Sequence, residues 1–331
     1  MRRSAIGQIV LVAVLVAACG TSPGAGPDPV SGSRTPESAN STAASTPAPT
    51  ASSAGDAPAS RPAAGSKELP RGGQAIFPRY RLVGYAGVTG AASLGRLGTG
   101  PLDQRVAELE KRAQPYRAGR DILPVLEVIT TVVHDSPGDD GKYRTRMSDD
   151  QIGRYLRAAR RHRALLLLNI QPGRADFLAE VKAYRKWLQE ADVGIALDPE
   201  WAMDAGQIPG HAYGHTTGAE LNDVADYLAE IVRARHLPEK VLVYHQVARS
   251  VVRHENAVTG HAGVVLIKSV DGLGAPGPKV DTYRLVNRGT PRHVHAGFKL
   301  FFTEDRRNGG RLMNPREVLA LRPRPEYIMY E

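Results

Sequence analysis

Two stretches decide the fold: Ala164-Leu-Leu-Leu-Leu-Asn-Ile-Gln-Pro-Gly173 and, after an amphipathic segment over residues 175–190, Val193-Gly-Ile-Ala-Leu-Asp-Pro-Glu-Trp201. Each is a short apolar run that ends in polar residues, and a helical pattern lies between them. With side chains alternating at period two, Leu165, Leu167, Asn169 and Gln171 share one face of the first run, and Gly194, Ala196, Asp198 and Glu200 share one face of the second. The opposite faces, Leu166/Leu168/Ile170 and Val193/Ile195/Leu197, are uniformly apolar, as faces covered by helices should be. Strand, helix, strand with both faces buried is the unit of a parallel sheet, because parallel neighbours need a long crossover.

The same rhythm extends outward. Strands are predicted at residues 82–86, 122–129, 164–170, 193–198, 240–247, 263–269, 296–302 and 327–330, and helices at 102–117, 148–161, 175–190, 218–235 and 277–286. Eight strands with intervening helices predict a (β/α)8 TIM-type barrel. The chain stops on strand eight, so the last helix is missing or the segment before Leu82 fills its place. The alternative, a doubly wound open sheet, lacks its phosphate loop: Gly84-Tyr-Ala-Gly-Val-Thr-Gly90 has the wrong spacing.

Composition divides the chain. Of 331 residues, the first 76 contain no aromatic side chain. Met1-Arg2-Arg3 followed by an apolar run from Ile6 to Val16, and then Ala17-Ala18-Cys19, has the layout of an export signal. It resembles a bacterial lipoprotein signal. That resemblance implies removal of residues 1–18, a diacylated Cys19, and a protein held at the outer side of the cell membrane. Residues 19–70 are rich in Ser, Thr, Ala, Pro and Gly and are expected to form a disordered tether, with a reach of about 40 Å. Residues 71–331 then form the barrel domain. Cys19 is the only cysteine, which excludes an internal disulfide framework and a multi-thiolate metal site. The domain carries 38 basic against 30 acidic residues, dispersed along the chain. That balance favours an anionic envelope over nucleic acid as the surrounding partner.

In a parallel barrel the functional face lies at the C-terminal ends of the strands. Strand two brings Glu127 there, in phase with Leu123 and Val125. Strand three brings Asn169 and Gln171, and strand four Asp198 and Glu200. Strand five adds His245 and Gln246, strand six Lys268 and Asp271, and strand one Tyr85. Buried carboxylates at Glu127, Asp198 and Glu200 cost several kcal/mol each unless paired or used, so their convergence asks for a ligand. No cofactor, no metal and no obligate protein partner is expected.

Leu197-Asp-Pro-Glu-Trp201 resembles the fourth strand of chitinase-like barrel glycosidases, which ends in Asp-x-Glu. The resemblance implies Glu200 as general acid, Asp198 as the neighbour that tunes it or orients substrate, and Trp201 as a sugar-stacking platform. This chain departs from that pattern. Val193 and Ala196 stand where the family has two further Asp residues, and Asn169-Ile-Gln-Pro-Gly173 replaces its Ser-Gly motif. These departures weigh against that family's substrate-assisted mechanism and make Glu127, across the barrel mouth, the better candidate for the second carboxylate, as base or nucleophile. The domain also resembles uncharacterised actinobacterial secreted and lipoprotein barrels; that likeness implies an acid at position 169, where this chain has Asn169. The leading expectation is a membrane-anchored glycoside-hydrolase-like protein acting on envelope or extracellular polysaccharide, with Glu200 as acid and Glu127 or Asp198 as partner. Tyr85, Asn169, Gln171, Trp201, His245, Gln246, Lys268 and Asp271 would contact substrate. A non-catalytic carbohydrate-binding lipoprotein is the alternative, and a metal-dependent hydrolase the third.

Overall fold

The computed structural model describes residues 67–331; the expected signal at 1–18, Cys19 and nearly all of the tether lie outside them. Eight parallel strands close into a barrel: β1 (Tyr80–Gly87), β2 (Asp121–Val133), β3 (Leu165–Ile170), β4 (Val193–Leu197), β5 (Lys240–Gln246), β6 (Val264–Val270), β7 (His295–Leu300) and β8 (Tyr327–Tyr330). Each pairs with the next, and β8 pairs with β1. The expected TIM-type fold is therefore the observed one.

Helices α1 (Leu102–Ala113), α2 (Asp149–Arg161), α3 (Phe177–Ala183), α4 (Arg185–Leu188), α5 (Gly218–Arg235), α6 (Pro276–Val286) and α7 (Pro315–Ala320) lie between the strands. Their ends follow local chemistry. The Gln151 side chain accepts from the Ser148 N–H at 3.1 Å, and Thr217 and Glu220 cap α5 reciprocally. The single helix expected over residues 175–190 is broken at Tyr184, whose hydroxyl donates to the Thr130 carbonyl at 2.8 Å and ties the break to β2. Helix α7 adds a short element that the sequence pattern did not suggest. Among the described residues no helix is long and apolar enough to cross a membrane.

Alternation along the strands sorts side chains into two layers. The inner layer contains Leu82, Leu123, Val125, Leu167, Val243 and Ile267; the outer, under the helices, contains Val83, Leu126, Leu168, Ile195 and Tyr244. Gly194 faces inward because a Cβ there would stand 2.8 Å from Leu167 Cδ2 and 2.7 Å from the Val241 carbonyl; a neighbouring large side chain fills the space instead.

The two ends of the barrel are finished differently. Leu69 and Ile76 are buried with the inner layer at the N-terminal end. Arg71 fastens this plug by donating to the Ile122 and Arg163 carbonyls at 3.1 and 3.2 Å and to Glu110 at 2.8 Å. Leu69 thus belongs to the fold although composition groups it with the tether. The segment before β1 closes the floor and does not replace the last helix. On the outer face of β8 and β1, Tyr85, Tyr116, Phe302 and Tyr330 pack together instead, with the Arg112 guanidinium 5.0 Å from the Phe302 ring and 5.2 Å from Tyr330.

If Leu69 seals the floor, Leu69→Ala should lower unfolding stability by about 2–5 kcal/mol. The same truncation at half-exposed Leu285 should change it by no more than about 0.5 kcal/mol; urea denaturation of both variants checks this.

Candidate active site

The top of the inner layer is polar. Glu127 sits on β2, level with Leu167 of β3, and Asn169, one pleat higher, lies beside Ala196 of β4. The Asn169 amide donates to Glu127 Oε1 at 3.1 Å and to Asp198 Oδ1 at 3.0 Å, joining the two carboxylates. Gln171 donates to Asp198 Oδ2 at 3.2 Å, while its own carbonyl accepts from the Val133 N–H. One amide on β3 and another just beyond it therefore orient both oxygens of Asp198.

His245 of β5 lies across the barrel. Its Nδ1 is 2.8 Å from Asp271 Oδ2, and its Nε2 approaches Glu127 Oε1 to 3.0 Å without hydrogen-bond alignment. Asp271 is held in turn by the Ser269 hydroxyl at 2.8 Å and by Lys299 at 3.2 Å. Lys299 Nζ also meets Glu331 Oε2 at 2.6 Å. The Tyr327 hydroxyl donates to Glu127 Oε2.

These contacts set the charges. Burial alone would raise the Glu127 pKa, but His245, Lys299 and Tyr327 together hold it below the ordinary value. Burial is overcome in the same way at Asp271, where His245 and Lys299 keep the carboxylate ionised. His245 and Lys299, which burial would neutralise, are held charged chiefly by Asp271. Asp198 is raised by burial, which His245 and Lys299 only partly offset.

Glu200 differs from the others. It lies on the 3-10 turn Pro199–Trp201 that follows β4, is 9% exposed, and its Oε2 has no hydrogen-bond partner. Burial, then the charges of Asp198 and Asp271, push its pKa up to about 8, so it holds a proton at neutral pH. The turn itself is fixed: the Gly214 N–H donates to the Glu200 carbonyl at 2.7 Å, and the Met203 N–H to the Gly173 carbonyl at 2.7 Å. Only glycine fits at 214, because a Cβ there would lie 2.0 Å from the Ala202 carbonyl oxygen. Tyr213, beside this glycine, is 41% exposed and feels the Glu200 charge, which places it at the rim.

Of the residues expected from sequence, the structure links Glu127, Asn169, Gln171, Asp198, His245 and Asp271 directly, and sets Glu200 close enough for its charge to couple to Asp198 and Asp271. Trp201 is half-buried on the Glu200 turn. Three residues are corrected. Tyr85 faces the helices, donating to Glu108 at 2.8 Å and accepting from Arg112 at 2.9 Å. Lys268 also leaves the inner layer: its ammonium meets Glu255, the Val286 carbonyl and Thr290. Gln246, one residue out of phase with His245, is buried with its Oε1 unpartnered. Lys299, Tyr327 and Tyr213 were not anticipated. The inward phase of Gly297-Phe-Lys299 was the available signal for the first. No protein-family model matches the chain, and no curated protein matches it significantly.

Lys299→Met strips Asp271 and Glu331 of their shared cation and should cost about 3–5 kcal/mol at neutral pH. Because Asp271 titrates below its usual range when folded, its stabilising contribution is present above that range and is lost as pH falls through the folded value. The gap between wild type and variant should therefore narrow in acid, which denaturation curves at several pH values measure.

Proposed function

We propose that the barrel mouth is a general-acid site for glycoside hydrolysis, and that the protein acts on envelope or extracellular polysaccharide. The observation that carries this reading is Glu200: a protonated carboxyl at the rim, raised to about 8 by burial and by Asp198 and Asp271, with one oxygen left without a partner. A general acid needs a proton at the working pH and a free direction in which to donate it.

Asp198 is the better partner of the two expected from sequence. Its oxygens are oriented by Asn169 and Gln171, and after burial it contributes most to raising the Glu200 pKa. Glu127 is completely buried and committed to Tyr327, Asn169 and the approach of His245, which suits an anchor of the interior better than a nucleophile. Trp201 and Tyr213, near Glu200 at the rim, would supply aromatic surface for a sugar ring, a contact that apolar faces of sugars favour. The resemblance of residues 1–19 to a lipoprotein signal, with Cys19 as the acceptor it implies, supports an extracytoplasmic location and hence a cell-wall or extracellular glycan as the substrate class.

The low exposure of Glu200 supports a second reading, a barrel that binds glycan without cutting it. The discriminating experiment is a turnover and binding screen of the full chain against cell-wall glycans. Glu200→Gln should lower turnover by at least about 10²-fold while leaving binding within a few-fold. Activity in the wild type should fall as pH rises through about 8, as Glu200 loses its proton. Turnover indifferent to that substitution removes the acid; binding with no turnover in either protein favours the second reading.

A further inference from the structure

A second feature lies outside the barrel. A groove of about 340 Å³ runs between the end of β1 and helices α1 and α2, within the size range of small-molecule sites. Its apolar surface comes from Val88, Leu102, Met147 and Tyr155. The Tyr155 ring is locked in place, since its hydroxyl donates to Thr89 Oγ1 at 2.7 Å and accepts from the Thr89 N–H at 2.5 Å.

The other wall is cationic. Arg154, Arg157 and Arg161 are exposed, stand at i, i+3 and i+7 on α2, and all line the groove. Arg161 is already held by Asp103, at 2.8 and 2.9 Å to its two oxygens. Neighbouring arginines are likewise taken: Arg160 by Asp192 and Glu190, and Arg96 and Arg105 by Glu108. Arg154 and Arg157 are the exceptions, with no carboxylate partner among the described residues. Residues three apart on a helix have Cβ atoms about 5–6 Å apart, so two guanidinium groups without a carboxylate partner extend from the same side of α2 beside the groove. A single carboxylate satisfies one such fork. A phosphate monoester, with close to two negative charges and three terminal oxygens, satisfies both.

We propose that this groove binds a phosphate monoester with an apolar substituent, the phosphate between Arg154 and Arg157 and the substituent against Val88, Leu102, Met147 and Tyr155. The site is independent of the carboxylates at the mouth, and the proposal stands or falls separately from hydrolysis.

Calorimetric titration of the full chain with phenyl phosphate tests it, with inorganic phosphate and phosphatidylcholine vesicles containing phosphatidic acid as parallel arms. Phenyl phosphate should bind at least about tenfold more tightly than inorganic phosphate, because burying the ring adds apolar contact. The double variant Arg154→Gln/Arg157→Gln should weaken phenyl phosphate binding at least about tenfold with an unchanged melting temperature, since neither side chain has a partner to lose. Vesicle binding that the double variant abolishes assigns the phosphate to a lipid headgroup. Phenyl phosphate binding without vesicle binding assigns it to a soluble ester. No saturable binding of phenyl phosphate, equal affinity for inorganic phosphate, or binding indifferent to the double substitution overturns the proposal.

Discussion

Moving an ionised carboxylate out of water costs several kcal/mol unless another charge or a set of donors replaces the water, and this barrel buries Glu127, Asp198, Glu200 and Asp271 in its upper interior. Two cations answer them. His245 joins Asp271 and approaches Glu127, and Lys299 joins Asp271 and Glu331. The remaining arrangement follows from that shortage of positive charge. Glu127 and Asp271, beside the cations, are held below their ordinary pKa, and neutral donors, Asn169, Gln171, Ser269 and Tyr327, supply further hydrogen bonds to the carboxylates. Such a network is costly to leave incomplete, so each member constrains the rotamers of the others.

Glu200 is where the compensation runs out. It sits one turn beyond β4, with no cation paired to it and two carboxylates acting on it, and the lower-energy solution is to keep its proton. The same electrostatic imbalance that would be a defect in a purely structural interior leaves Glu200 with its proton at neutral pH, beside an Asp198 whose own pKa burial also raises. The fold contributes by fixing the turn, through Gly214 and the Gly173 carbonyl, so that the carboxyl is held at the mouth rather than free in solvent.

Much of this was legible in period two. Leu165-Leu167-Asn169-Gln171 and Gly194-Ala196-Asp198-Glu200 each had one face of mixed polarity against a purely apolar one, so the inward phase was unambiguous, and the strands lie as that phase requires. Tyr85 was misplaced because the expected strand over residues 82–86 has no charged residue on either face, leaving nothing to set the phase until Leu82 and Ala86 are seen packing inside. Lys268 is in the outward phase with Leu266 and Val270, opposite to Ser269 and Asp271, and its partners Glu255 and Thr290 come from segments that no strand pattern positions. The Glu127–Tyr327 contact joins residues 200 positions apart; only barrel closure, which sets β8 beside β1 and β1 beside β2, brings them together. Helix α7 escaped notice because six residues are too few to show a helical period.

The chemistry proposed for the barrel mouth depends on the protonation state of Glu200, so the most direct measurement is a carboxyl-carbon NMR titration of the protein labelled with carbon-13 at its glutamate carboxyl groups, with Glu200→Gln identifying the resonance. The structure predicts a carboxyl that titrates near 8 and disappears in the variant. A Glu200 resonance that titrates in the ordinary glutamate range, near about 4.3, would contradict the claim that the barrel mouth holds a ready general acid.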